Sequence, residues 1–287
     1  MKDAKKLIVL NPTDNLVDVQ KVTENGHEVV TATNGCMSIS AAGSFYPALF
    51  SLNVLEKEWL DTSFPSLKPR SWWNPWSGGI RSSITGVTHK SFAKESTEVK
   101  EASLYDQFGR LWKGIKLSID FKDNEEVKGL GIEQYYVMLP GVPVLAYCTK
   151  FIQNTGKYYH YKKWYSECAF MPGDSMESGW INSASQHKQY FAGQTEYKTE
   201  LEDHVVIGSK NDQKILQVIA DRDCIDIESY VNKEILSLAL WREFHLAHGV
   251  QHVSSPTFFV GHESILSEDE VKQLQRLTFK EGYYENH

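Results

Sequence analysis

The feature that most constrains this chain is a rhythm. Short runs of alternating or β-branched residues are broken by turn residues every ~8–12 positions, the spacing of a sandwich or barrel. HEVVTAT (27–33) and CMSISAA (36–42) flank Asn34–Gly35. An Asn-Gly pair between two β-rich runs signals a hairpin, because both residues accept the positive φ that such a turn demands. LWKGIKLSIDF (111–121) alternates around a glycine, and LGIEQYYVMLPGVPVLAYCTKFIQNTG (130–156) reads as strand, Pro-Gly turn, strand and Asn-Thr-Gly turn. HVVIGS (204–209), ILQVIAD (215–221), EILSLALWREF (234–244) and PTFFVGHES (256–264) continue the series, while YPALFSLNV (46–54) suits either helix or strand.

Only SEDEVKQLQRLTFKEGYY (267–284) reads clearly as helix. Ser267 can cap its start, Asp269 and Glu270 suit the first turn, and Val271, Leu274 and Leu277 share a face. No linker, low-complexity segment or repeat interrupts the chain. The predicted fold is all-β: a large antiparallel β-sandwich over residues 21–287 with a C-terminal α-helix at about 267–284, preceded by an extension at 1–20.

A chain of 287 residues suits one large β unit. Its net charge of −7 argues against nucleic acid and anionic membranes as main partners, since both require a basic footprint. KYYHYKKWY (157–165) is a local basic patch. The apolar run Leu7–Leu10 is too short for a signal peptide, and no stretch approaches the ~18–20 apolar residues of a membrane span, so a soluble, cytoplasmic protein is expected. Cys36, Cys148, Cys168 and Cys224 lie far apart without a CxxC; free thiols are the plain expectation, and one or two disulfides stay open. GxGxxG after a strand, GxxxxGK[ST], HExxH and GxSxG do not occur, so no cofactor is expected.

Three segments carry a resemblance: FYPALFSLNVLEKEWLDTSFP (45–65), VLAYCTKFIQNTG (144–156) and FFVGHES (258–264). Their layout resembles the galactose-mutarotase-like β-supersandwich of aldose epimerases and of domains in glycoside hydrolases and polysaccharide lyases. It covers about residues 25–265. QHKQYFAG (186–193) is similar to the segment that holds a catalytic histidine in aldose epimerases, with one more residue between His187 and Tyr190 and no Asn-Leu. Glu263 stands for the family's late glutamate, without the preceding proline, and His89 for its earlier histidine, without a flanking motif. The resemblance implies a carbohydrate-active protein in which Glu263 removes a hydroxyl proton and His187 protonates the ring oxygen of an aldose. The departures support a second reading, a non-catalytic module that binds a glycan or a partner protein.

The loop SWWNPWSGGIRSS (71–83) supplies what a sugar needs. Flat rings bind the C–H faces of a sugar and polar groups bind its hydroxyl rim, which nominates Trp72, Trp73, Trp76, Asn74 and Arg81. The same rings could instead plug the end of a sandwich. Alternation in KYYHYKKWYSECAF (157–170) puts Tyr159, Tyr161, Lys163 and Tyr165 on one face and Tyr158, His160, Lys162 and Trp164 on the other. His160, Trp164 and Tyr190 complete the candidate sugar-binding set. Asp174, Glu177 and Glu133 are further acid–base candidates by residue type. His245, His248 and His252 would share a face of a helix, but their segment follows a strand pattern and contains Gly249, so no metal is expected. The expected partner is a sugar or oligosaccharide; oligomeric state is not legible.

Overall fold

The computed structural model describes residues 10–71, 73–183, 189–191, 197–201 and 204–280, with backbone alone at 159–162, 189–191 and 197–201. In chain order the elements are β1 (Asp18–Glu24), β2 (His27–Thr33), β3 (Met37–Ala41), β4 (Leu49–Val54), β5 (Lys57–Glu58), β6 (Lys68–Arg70), β7 (Trp73–Trp76), β8 (Ile80–Ile84), α1 (His89–Phe92), β9 (Thr97–Tyr105), β10 (Leu111–Asp120), β11 (Leu130–Met138) and β12 (Val144–Gln153). They continue as β13 (Tyr159–Phe170), β14 (Gly179–Ser183), β15 (Gln189–Phe191), β16 (Tyr197–Leu201), β17 (His204–Ser209), β18 (Asp212–Ile219), β19 (Asp226–Val231), β20 (Leu236–Ala247), β21 (Gln251–Val253), β22 (Thr257–His262) and α2 (Glu268–Gln275).

Two large antiparallel sheets face each other, as the strand rhythm predicts. The first runs β1-β2-β3-β4-β8-β13-β20-β19-β16, with β5 beside β4. The second runs β15-β14-β17-β18-β22-β12-β11-β10-β9, with β21 beside β12. β6 and β7 form a separate hairpin. Side chains alternate along each strand, so every strand sends one row between the sheets and one row outward. Leu49, Ile80, Cys168, Leu238 and Leu240 of the first sheet meet Ile115, Leu117, Tyr136, Leu145 and Phe259 of the second.

The Asn34–Gly35 signal marks the β2–β3 hairpin, and Asn34 does more than turn the chain. Its side-chain oxygen accepts from the N–H groups of Cys36 and Met37, and its amide donates to Leu139 O (2.7 Å) and Val142 O (2.8 Å) beyond β11. One buried side chain therefore closes the turn and ties the two sheets together. The ambiguous segment at 46–54 ends in the strand β4.

The outer face of the second sheet is covered by α2. Val271, Leu274 and Leu277 pack on Trp112, Val144 and Phe258, as the helical spacing predicts. Ser267 and Glu270 form a reciprocal capping box. The helix stops at Gln275, not near 284. Residues 278–280 swing back along the second sheet's edge, where Gln107 N donates to Thr278 O (2.9 Å), Lys280 N to Tyr105 O (2.9 Å), and Phe279 bridges Asp106. Residues 281–284 lie outside the described residues. All four cysteines are free. No helix among the described residues is long and apolar enough to cross a membrane.

Candidate functional site

A buried charge cluster lies on the outer face of the first sheet, away from the core. On β8, Ser82 points inward and reaches Tyr147 (2.6 Å) and Thr149 (2.7 Å) of the second sheet, so Arg81 and Ser83 point outward. Pairing of β8 with β13 sets Arg81 opposite Glu167 and Ser83 opposite Tyr165. Gly78 and Gly79 bring the chain into this position with positive φ (67° and 77°). A side chain at either would collide with the carbonyl oxygen of Asp61 or Leu49, so the approach needs glycine.

Arg81 is 2% exposed and fully engaged. Nη2 donates to Glu167 Oε2 and to His89 Nε2 (2.7 Å), and Nη1 donates to Ser83 Oγ (2.5 Å). Its guanidinium also lies over the ring of Tyr46, 5.3 Å from the centroid. His89 opens the short helix α1, which Thr88 caps. Because Arg81 occupies the lone pair of Nε2, the ring proton belongs on Nδ1, which reaches Pro75 O at 3.2 Å. Burial, with the adjacent Arg81 charge, pushes His89 down to about 4, so the ring is neutral at pH 7. Burial pushes the Tyr46 hydroxyl up to about 12 and raises Tyr165 as well.

Glu167 gives one oxygen to Arg81. Its other oxygen, Oε1, accepts no bond among the described residues. Beside it, Tyr165 faces Trp241 of β20 across the sheet, with ring centroids 4.4 Å apart. Both rings are half-buried, which leaves an aromatic platform next to an open carboxylate oxygen.

The structure brings Arg81 and His89 together and disperses the other candidates. Trp76 is 2% exposed and packs with Ala169, Ile235, Trp73 and Tyr230, so it plugs the end of this face. Trp73 is half-buried against Tyr230 and Asn74 is exposed, so the aromatic loop both covers and borders the surface. Trp164 points inward and packs on Phe151, opposite in direction to Tyr165, as the alternation in 157–170 requires. Glu263 is exposed in the turn after β22, on the second sheet. Trp72 and His187 lie outside the described residues; His160 and Tyr190 are described by backbone alone, on β13 and β15. His245, His248 and His252 lie along the β20–β21 hairpin. No group of three metal-ligating side chains occurs among the described residues.

Sequence reasoning missed Glu167, Trp241 and Tyr46. Glu167 is 86 positions from Arg81, and no motif links them. The alternation that pairs Tyr165 with Lys163 also puts Glu167 on the outer face, and that was its only signal.

Solved structures share this architecture. A galactose mutarotase-like protein from Clostridium acetobutylicum superposes with a TM-score of 0.61 at 10% identity, over 87% of this chain and 99% of that one. The chain has the galactose-mutarotase-like fold. A galactose mutarotase related enzyme from Lactobacillus acidophilus shares the fold with a TM-score of 0.52 at 10% identity, over 85% of this chain and 97% of that one. A TPR-domain containing protein from Parabacteroides distasonis contains it too (TM-score 0.59, 10% identity, 88% of this chain), and the present chain spans 54% of that protein's length. No protein-family model matches the chain, and no curated protein matches it.

Proposed function

We propose that the protein binds a sugar on the outer face of the first sheet, over the Arg81–Glu167–His89 cluster. The observation that carries this reading is the open Glu167 Oε1 beside the Tyr165–Trp241 platform. A carboxylate oxygen held still by an arginine accepts a sugar hydroxyl, and paired rings take the apolar C–H face. The names borne by the fold's neighbours, galactose mutarotase-like and galactose mutarotase related, agree with a sugar ligand.

Aldose mutarotation is the second reading, favoured by the same oxygen. Ring opening needs a base for the anomeric hydroxyl proton and an acid for the ring oxygen. Glu167 Oε1 can take the proton. His89 is neutral at pH 7 with both nitrogens engaged, so it is a poor acid as it stands, which is why binding comes first. Two measurements separate the readings. Calorimetric titration with galactose and glucose should show binding that Glu167→Gln and Trp241→Ala each weaken at least tenfold. Polarimetry on α-galactose and α-glucose should match the buffer blank; a rate above it that Glu167→Gln abolishes would make the protein a mutarotase. Absence of binding to wild type, or binding untouched by both changes, would refute the proposed site.

A further inference from the structure

The β6–β7 hairpin belongs to neither large sheet. It crosses the outer face of the first sheet beside the charge cluster and is fastened along its length. Arg70 Nη1 donates to Asp61 Oδ1 (2.5 Å) and Nη2 to Glu234 O (2.6 Å). Ser71 N donates to Glu234 Oε2 (3.1 Å), and Pro75 O accepts from His89. Beneath it, Trp76 packs on Ala169, which lies two positions beyond Glu167 on the same side of β13.

Two polar atoms under this hairpin are left over. Asp61 is 5% exposed, yet its Oδ2 has no hydrogen-bond partner among the described residues, and neither does Nε1 of the buried Trp76. One is an acceptor and the other a donor. Both flank Arg70, whose guanidinium bonds Asp61 and lies 6.0 Å from the Trp76 ring centre. A buried polar group without a partner costs ~1–3 kcal/mol, and native structures satisfy nearly all of them. A hydroxyl satisfies both kinds, since it donates to a carboxylate and accepts from an indole N–H. Burial holds Asp61 up at about 6, and Arg70 is the only charged group opposing that shift. A bonded hydroxyl would favour the ionised carboxylate.

We propose that Asp61 and Trp76 form a hydroxyl-binding subsite under the β6–β7 hairpin, which lifts to admit hydroxyls of the sugar lying over Arg81 and Glu167. This rests on the sugar-binding reading. The same chemistry could be supplied by a trapped water, and the test separates the two sources.

The experiment is a titration of the full chain with galactose and glucose at pH 5.0 and 7.5, for wild type, Asp61→Asn, Trp76→Phe and Glu167→Gln, with thermal unfolding of each variant. A carboxylate titrating at about 6 is mostly protonated at pH 5, so wild-type affinity should fall about tenfold from pH 7.5 to 5.0. Asp61→Asn should abolish that dependence, and Trp76→Phe should weaken binding several-fold at both pH values. If Asp61→Asn and Trp76→Phe alter the unfolding temperature but leave affinity and its pH profile unchanged, the subsite holds water only and the inference is wrong. Glu167→Gln reports on the main site alone: loss there with no effect at Asp61 and Trp76 leaves the sugar reading standing without this subsite. Failure of wild type to bind either sugar overturns both.

Discussion

Arg81 and Glu167 are nearly sealed from water, with side chains 3% and 9% exposed. Such a pair contributes little net stability, but removing one partner strands the other charge in a dry site. Glu167→Gln should therefore destabilise the fold by about 3–5 kcal/mol in urea unfolding, and Arg81→Met combined with Glu167→Met should cost less than either single change. Additive losses would contradict this account of the pair. Nearby, His89 and Asp61 titrate in opposite senses. His89 falls from its ordinary 6.5 to about 4, so between those values the unfolded chain binds a proton that the folded chain refuses. Its contribution to stability drops as pH falls from about 6.5 to about 4. Asp61 rises from 3.8 to about 6, so the folded chain holds a proton that the unfolded chain has released, and stability rises as pH falls through the window between about 6 and 4. The two effects offset. Asp61→Asn should make stability fall more steeply on acidification than in wild type, and His89→Gln less steeply. Urea midpoints at pH 7, 5.5 and 4 read this directly, and identical slopes in all three proteins would refute it.

At the scale of elements, the strands were legible because their period of two matches burial on one side. Val30, Ala32, Ile39 and Ala41 all point inward across the Asn34–Gly35 hairpin. The helix was legible in its start and its buried face but not in its end. The sequence beyond Arg276 still carries apolar residues at helical spacing, yet Leu277 and Phe279 reach their buried positions in a chain that has turned back on the second sheet. Tertiary pairing with residues 105–107 overrides local propensity there. The capping box at Ser267 sets where α2 begins, and Ser267→Ala should cost about 1 kcal/mol, read as a lower unfolding temperature. Leu274→Ala, which empties a fully buried position under the same helix, should cost about 2–5 kcal/mol. Equal effects would mean that α2 is held by its cap rather than by its packing.

For the whole molecule, the site was legible only in part. Arg81 and the tryptophans stood out by composition, and His89 by resemblance. Glu167, Trp241 and Asp61 did not, because what joins them is the order of strands in the sheet. That order sets β8 against β13 and β13 against β20, neighbours in space that are remote in sequence. The aromatic loop divides its labour: Trp76 closes the end of the face, while Trp73 and Asn74 stay at its border. The central claim is that this outer face, and not the Glu263 turn of the second sheet, receives the sugar. A crystal structure of the full chain soaked with galactose tests it most directly. The account predicts sugar density against Tyr165 and Trp241, with a hydroxyl within hydrogen-bond distance of Glu167 Oε1. Ordered sugar at Glu263, or anywhere else with this face bare, would contradict it.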